Sequence, residues 1–204
     1  MRLSFYVKHI ILCTACCDGF APFNLDGKMR STRSSQQASH GRVFMEVTAV
    51  KTKSGKLSVR PIRPVLDIKH LVAIDADCYE SPWTAADFSA FLNQHTCNGY
   101  VVERSNKVLG YMLYEAAKHS VYLHAMAVFR AARRQGAGRS HINCAVENLL
   151  QKARKVLHTD VRETNLNCQL FMKAMKFRAV SVVPEYYEDT HEDSFRMEYR
   201  LDAK

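Results

Sequence analysis

From residue 57 onward the apolar positions recur with two periods, and the switches between them divide the chain into elements. LSVRPI, residues 57–62, reads as a short strand, and VLDIKHLVAIDADCY behind it carries Ile68, Leu71, Val72 and Ile74 on one helix face. SPWTAADFSAFL predicts a second helix, with Thr84 at its N-cap and Asp87 three residues on in the pairing of a capping box. GYVVERSNKVLGYMLYEA makes two strands across a Ser-Asn-Lys turn, and SVYLHAMAVF a third. RRQGAGR, residues 133–139, breaks the pattern. Beyond it, SHINCAVENLLQKARK sets Ile142, Ala145, Val146, Leu149, Leu150 and Ala153 at the spacing of a buried helix face. KVLHTDV predicts a strand, TNLNCQLFMKAM a helix capped by Thr164, and KFRAVSVV and EDSFRMEYRL two final strands. The expected order is β-α-α-β-β-β-loop-α-β-α-β-β. That is an α/β domain over residues 57–204, with a single mixed central sheet and helices on both faces.

Residues 1–56 lack such a pattern. KMRSTRSSQQASHGR, residues 28–42, is polar and Ser/Gln-rich, the composition of a disordered tail. MRLSFYVKHIILCTACC has a basic start and an apolar run like a secretory signal, but the run is short, Lys8 and His9 precede it, and no clean small-residue cleavage site follows. The expectation is a basic, disordered extension over residues 1–56, with Met45 as an alternative start that leaves the body complete. Charge changes the picture only once it is divided. Of the net +9, residues 1–57 hold nine Lys/Arg against three Asp/Glu, and residues 58–204 twenty against seventeen. The body is therefore only mildly basic, which suits an anionic small ligand or an acidic peptide at least as well as a nucleic acid. The seven cysteines are irregularly spaced, and Cys78, Cys97, Cys144 and Cys168 fall among apolar residues. They read as reduced thiols of a cytoplasmic protein. Cys13, Cys16, Cys17 and His9 lack a second Cys/His pair at a matching distance, so no metal site is expected.

RRQGAGR lies between a strand and an amphipathic helix, where free backbone N–H groups and the helix dipole attract an anion. A Walker loop requires Gly-Lys-Ser/Thr, but Gly138 is followed by Arg139 and Ser140; a dinucleotide fingerprint requires glycine where His141 stands. Alone, the loop is as readily a basic turn that binds nothing.

The rest of the body changes that balance. Residues 133–138 look like the R/Q-x-x-G-x-G/A loop of the GNAT acetyltransferases, after a strand ending in Met126, Ala127 and Val128. Ser81-Pro82-Trp83-Thr84 resembles the Pro-Trp-Ser element of the ribosomal-protein-alanine type of protein N-terminal acetyltransferase. Residues 160–165, DVRETN, stand where that type has acid-Val-Arg-x-Ser-Asn, and Pro184-Glu185-Tyr186-Tyr187 with Glu192-Asp193 resembles its tyrosine-pair hairpin. The resemblance covers about residues 58–202, with its motifs in order.

It implies acetyl-CoA as co-substrate, without a metal. Gln135, Gly136, Ala137, Gly138 and Arg139 would cradle the pyrophosphate, with Arg134 and Arg139 adding charge. Met126, Ala127 and Val128 would hold the pantetheine arm on a strand that diverges from the next, and Asn165 would contact the cofactor, cap its helix, or both. The acceptor implied is a protein N-terminal α-amine, a ribosomal protein favoured, with Trp83 and Tyr186 lining its groove. Asp160, at the strand end by the cleft, would act as base through water, against an alternative as an exposed aspartate paired with Arg162 or Lys155. Tyr187 would supply a proton, although one of two neighbouring tyrosines should simply pack. At the position of the type's proton-donating tyrosine this chain has Met172, and Arg130 replaces its proline. His124 reads as a packed or surface histidine. Acetylation of a small amine or a lysine, and a CoA-binding module without turnover, are the alternatives; neither membrane nor direct nucleic-acid binding is expected.

Overall fold

The computed structural model describes residues 51–52, 55–150 and 154–201. The readings made at residues 1–17, 28–42 and Met45, and of Ala153, lie outside them. One sheet organises the molecule, in the order β1-β2-β3-β4-β5-β6-β8-β7. The strands are β1 (Lys51–Thr52), β2 (Gly55–Pro61), β3 (Cys97–Arg104), β4 (Lys107–Ala116), β5 (Ser120–Val128), β6 (Val156–Arg162), β7 (Arg178–Tyr187) and β8 (Glu192–Arg200). The helices are α1 (Pro64–Cys78), α2 (Ala85–Leu92), α3 (Ala137–Leu149) and α4 (Leu166–Ala174). The expected order holds, with the two-residue β1 added ahead of it. All neighbours are antiparallel except β5 and β6.

Local chemistry explains the elements. The capping box of α2 forms: Thr84 Oγ1 accepts from the Asp87 N–H, and the Asp87 carboxylate accepts from the Thr84 N–H at 2.8 Å. Ser105 and Asn106 turn β3 into β4 with φ of 49° and 62°, the left-handed pair that suits a right-twisted hairpin. The cap of α4 is Asn165, one residue later than expected, because its Oδ1 accepts from the Cys168 N–H at 3.1 Å. The sequence pattern misses two buried carboxylates on the core face of α1. Asp67 receives both terminal nitrogens of Arg60 and the Arg63 N–H; burial pushes its carboxyl up, but these donors outweigh burial and hold it below its ordinary value. Asp75 accepts from the Tyr111 hydroxyl and the Trp83 N–H, tying the α1–α2 connection to the sheet.

The two faces of the sheet differ. On one, α3 and α4 cover a core that includes Leu123, Met126, Leu157, Val161, Met172 and Met197. On the other, α1 and α2 pack on β3, β4 and β5. Alternation along β6 turns His158, Asp160 and Arg162 to this second face, and Arg196 and Glu198 of β8 lie opposite Asp160 and His158. The β6–β8 half of the second face therefore presents a polar floor.

Candidate active site

The site begins where β5 leaves β6. The two pair in parallel only from Ser120↔Val156 to Tyr122↔His158, and Thr159 Oγ1 donates to the Leu123 carbonyl at 3.2 Å where they part. A register shift against β4, from Leu113↔Ala125 to Tyr114↔Leu123, leaves His124 as the extra residue of a β-bulge. Beyond the bulge Phe129 donates to the Leu109 carbonyl at 2.9 Å, so alternation turns Ala127 toward β4 and the backbones of Met126 and Val128 into the gap. Of the three residues expected to hold a pantetheine arm, Met126 and Val128 have suitable backbones. Ala127 does not, because its N–H and carbonyl belong to the sheet.

The outward carbonyls are braced. Tyr79 donates to the Met126 carbonyl at 3.3 Å, and Cys78 Sγ and Arg133 Nε approach that of Val128 at 3.4 and 3.1 Å. Gly110 lies opposite Val128; a Cβ there would stand 2.6 Å from the Ala127 carbonyl oxygen. The strand end thus depends on a glycine its partner alone can supply.

Past Val128 a 3-10 turn, Arg130–Ala132, leads into the glycine loop. Arg134 and Gly136 both adopt left-handed conformations, with φ of 63° and 90°, and α3 starts at Ala137, earlier than its apolar pattern predicts. Gly136 is the N-cap and provides no side-chain cap, and the first turn has no acid. The N–H groups of that turn point into a concavity suited to an anion. The cleft there measures about 220 Å³ and is walled by Val128, residues 133, 134 and 136–139, and Phe171, Ala174 and Met175 of the α4 end. These last three are apolar wall residues that the sequence reading did not find. Gln135 uses its side chain internally, accepting from Arg104 at 2.5 Å and donating to the Ala131 carbonyl at 3.1 Å, so only its backbone can serve a ligand. Asn165 is 4% exposed with Oδ1 engaged as the helix cap.

A second cluster lies on the polar face beside the gap. Asp160 is fully buried, bridged by Arg196 at 3.0 and 3.1 Å and bonded by the Tyr122 hydroxyl. This corrects the reading of Asp160 as an exposed aspartate: it is buried, its partner is Arg196 and not Arg162 or Lys155, and both of its oxygens accept from donors. Arg162 instead engages Asp189 and Glu192. Burial, then the neighbouring Tyr186 and Asp160, raise the Tyr122 hydroxyl well above its usual pKa; the Asp160 hydrogen bond raises Arg196. Tyr186 is half-buried and interacts with Tyr122 and Asp160. Tyr187 is 2% exposed, with the Arg162 guanidinium 3.8 Å above its ring and burial raising its pKa far beyond the ordinary phenol value. Of the two tyrosines Tyr187 is the packed one, which removes it from the role of proton donor. Met172 lies wholly inside the core on the other face. Trp83 is half-buried on Phe88 and Phe91, at ring separations of 5.3 and 5.8 Å, at the edge of the α2 layer.

A mixed sheet whose two central parallel strands splay above a glycine-containing strand–helix loop is an acyltransferase architecture. The profile of the acetyltransferase (GNAT) family matches residues 68–177, more than half of the chain, and the chain belongs to that family of N-acetyltransferases. It is 28% identical over 143 residues, 70% of this chain and 94% of the other, to a Bacillus subtilis (strain 168) protein provisionally named a [ribosomal protein bS18]-alanine N-acetyltransferase. Among solved structures it resembles the ribosomal-protein-S18-alanine N-acetyltransferase from Escherichia coli, at TM-score 0.66 and 17% identity over 72% of this chain and 96% of that one. It also resembles Arabidopsis thaliana NAA60 in complex with acetyl-CoA, at TM-score 0.62 and 18% identity over 72% and 99%. The family's acyl donor is acetyl-CoA. Among the described residues no three His, Cys, Asp or Glu side chains could hold a metal, and no helix is long and apolar enough to cross a membrane.

Proposed function

We propose that this chain transfers the acetyl group of acetyl-CoA to the N-terminal α-amine of a protein, in the cytoplasm, with a ribosomal protein as the favoured acceptor. The observation that carries the reading is the parting of β5 from β6 directly above the glycine loop, with Met126 and Val128 turned into the gap. A diphosphate fits the loop: Arg134 and Gly136 have the backbone conformations of an anion nest, and residues 137–139 offer N–H groups at a helix start without an acid. Arg134 and Arg139, both exposed, add positive charge at its rim. The acceptor class rests on the activity for which the bacterial relatives are named and on the polar floor beside the gap.

Acetyl-CoA supplies an activated thioester carbonyl. An α-amine, with pKa near 8, is roughly one-tenth neutral at pH 7, so modest assistance suffices. Asp160 acts here as a fixed negative charge: locked by Arg196, it keeps the Tyr122 hydroxyl oriented at the parting of the strands and favours a positively charged nitrogen nearby. Trp83 and Tyr186 flank the approach. The test is a library of peptides with varied first residues, incubated with acetyl-CoA and read by fragment mass spectrometry. Acetyl on the α-nitrogen of peptides beginning with a small residue is expected. Modification confined to lysine side chains or small amines would replace this reading, and acetyl-CoA binding with no transfer to any acceptor would leave only a binding module.

A further inference from the structure

We infer that His124 is a catalytic residue, the base that takes the proton from the acceptor amine through its Nδ1, oriented by Glu115. This rests on the proposed acceptor. The bulge of β5 places His124 next to Tyr122 on the second face, with ring centroids 4.7 Å apart, and its edge meets Phe91 of α2 at 5.2 Å. Its Nε2 lies 3.3 Å from Glu115 Oε2 on the neighbouring strand, and the other Glu115 oxygen accepts from Thr96 Oγ1 at 3.3 Å. An ionised carboxylate can only accept, so Nε2 carries the hydrogen and Nδ1 the lone pair. Nδ1 has no hydrogen-bond partner among the described residues, and the side chain is 23% exposed. A carboxylate thus holds an imidazole in one tautomer, with its basic nitrogen unpartnered among the described residues, on the residue that follows the parting at Leu123. Asp160 cannot do this work without breaking its Arg196 bridge.

In the transfer, the amine nitrogen forms the N–C bond to the thioester carbonyl and the C–S bond breaks with its electron pair on sulfur. The amine's surplus proton goes to Nδ1, and the thiolate takes a proton from water. The charged or titratable groups around His124 are Glu115 of β4, Tyr122 of its own strand and Asp160 of β6; Phe91 of α2 contributes none. Burial lowers the His124 pKa, and Glu115 and Asp160 oppose that shift without cancelling it. The imidazole is therefore neutral and able to accept a proton at pH 7.

Two measurements on the full chain decide the matter. In kcat/KM against pH, the wild type should show a limb from the amine near pH 8 and a second below about 6.5. His124→Gln should lower kcat by roughly 10²–10⁴-fold, abolish the second limb, and retain acetyl-CoA-dependent thermal stabilisation. Glu115→Gln should shift that limb further down. A wild type that transfers acetyl to no α-amine would refute the acceptor and leave His124 to the other measurement, ¹⁵N NMR of the histidine side chains. There His124 should be the Nε2–H tautomer, and its Nδ1 resonance should move when a peptide with a free α-amine is added but not with its Nα-acetylated counterpart. An Nδ1–H tautomer, an unmoved resonance, or a His124→Gln enzyme at wild-type rate would overturn the inference.

Discussion

Single residues here owe their roles to partners that sequence spacing cannot supply. Asp160 was legible as an acid at a strand end, but its burial and its Arg196 bridge depend on β6 pairing with β8 across an intervening helix and strand, a register no local pattern contains. Asp160→Asn preserves an acceptor for Tyr122 while discarding the charge. It should lower turnover by roughly 10²-fold and cost about 1–3 kcal/mol in a denaturant titration; unchanged turnover would remove Asp160 from the chemistry. His141 was legible only as the residue that spoils a dinucleotide fingerprint. It is wholly buried, and desolvation lowers its pKa to about 3. An unfolded chain binds this proton near pH 6.5 and the folded one does not until about pH 3, so its contribution is constant above 6.5 and stability falls on acidification between the two. His141→Leu should flatten that part of a stability–pH curve, and a curve identical to wild type would show that the imidazole does not matter to folding.

At the scale of elements, capping and turn chemistry were readable because they are local. Thr84 with Asp87, and Ser105-Asn106, need only residues three or fewer apart. The early start of α3 was not readable, since the apolar face begins at Ile142 while the first turn is made of small loop residues. That loop is strained by design of its backbone, with Gly136 at φ 90° and Leu57 Cδ1 the nearest atom to a Cβ, at 3.7 Å. Gly136→Val should therefore cost about 1–2 kcal/mol of stability from conformation alone and should also lose thermal stabilisation by acetyl-CoA. A valine variant stabilised by acetyl-CoA as fully as the wild type would remove the loop from the cofactor site. Met172 shows the limit of counting along a helix. Its position matches the family's proton-donating tyrosine, yet its side chain fills the core, so Met172→Tyr must place a hydroxyl in the apolar core to which Met126, Cys168 and Val161 also belong and should destabilise the fold by about 1–3 kcal/mol through overpacking. A rate increase without that loss would show that the core opens to the cleft here.

For the molecule as a whole, the order of strands and helices was legible from periodicity because each layer buries one stripe or face. What periodicity could not distinguish is which half of the sheet, among the described residues, has no helix packed on its second face, and that asymmetry makes the polar approach to the gap. The polar, Ser/Gln-rich composition of residues 28–42 offers no apolar face to the core, so a chain starting at Met45 should melt cooperatively and keep its transferase activity, with differential scanning calorimetry as the check. In the proposed reaction the gap between β5 and β6 delivers an acetyl group to an α-amine. The most direct measurement is the single-turnover transfer of labelled acetyl from acetyl-CoA to two forms of one peptide, the first with its lysines blocked and the second with only its α-amine blocked. Label should appear in the first and not in the second; label confined to the second would contradict the account.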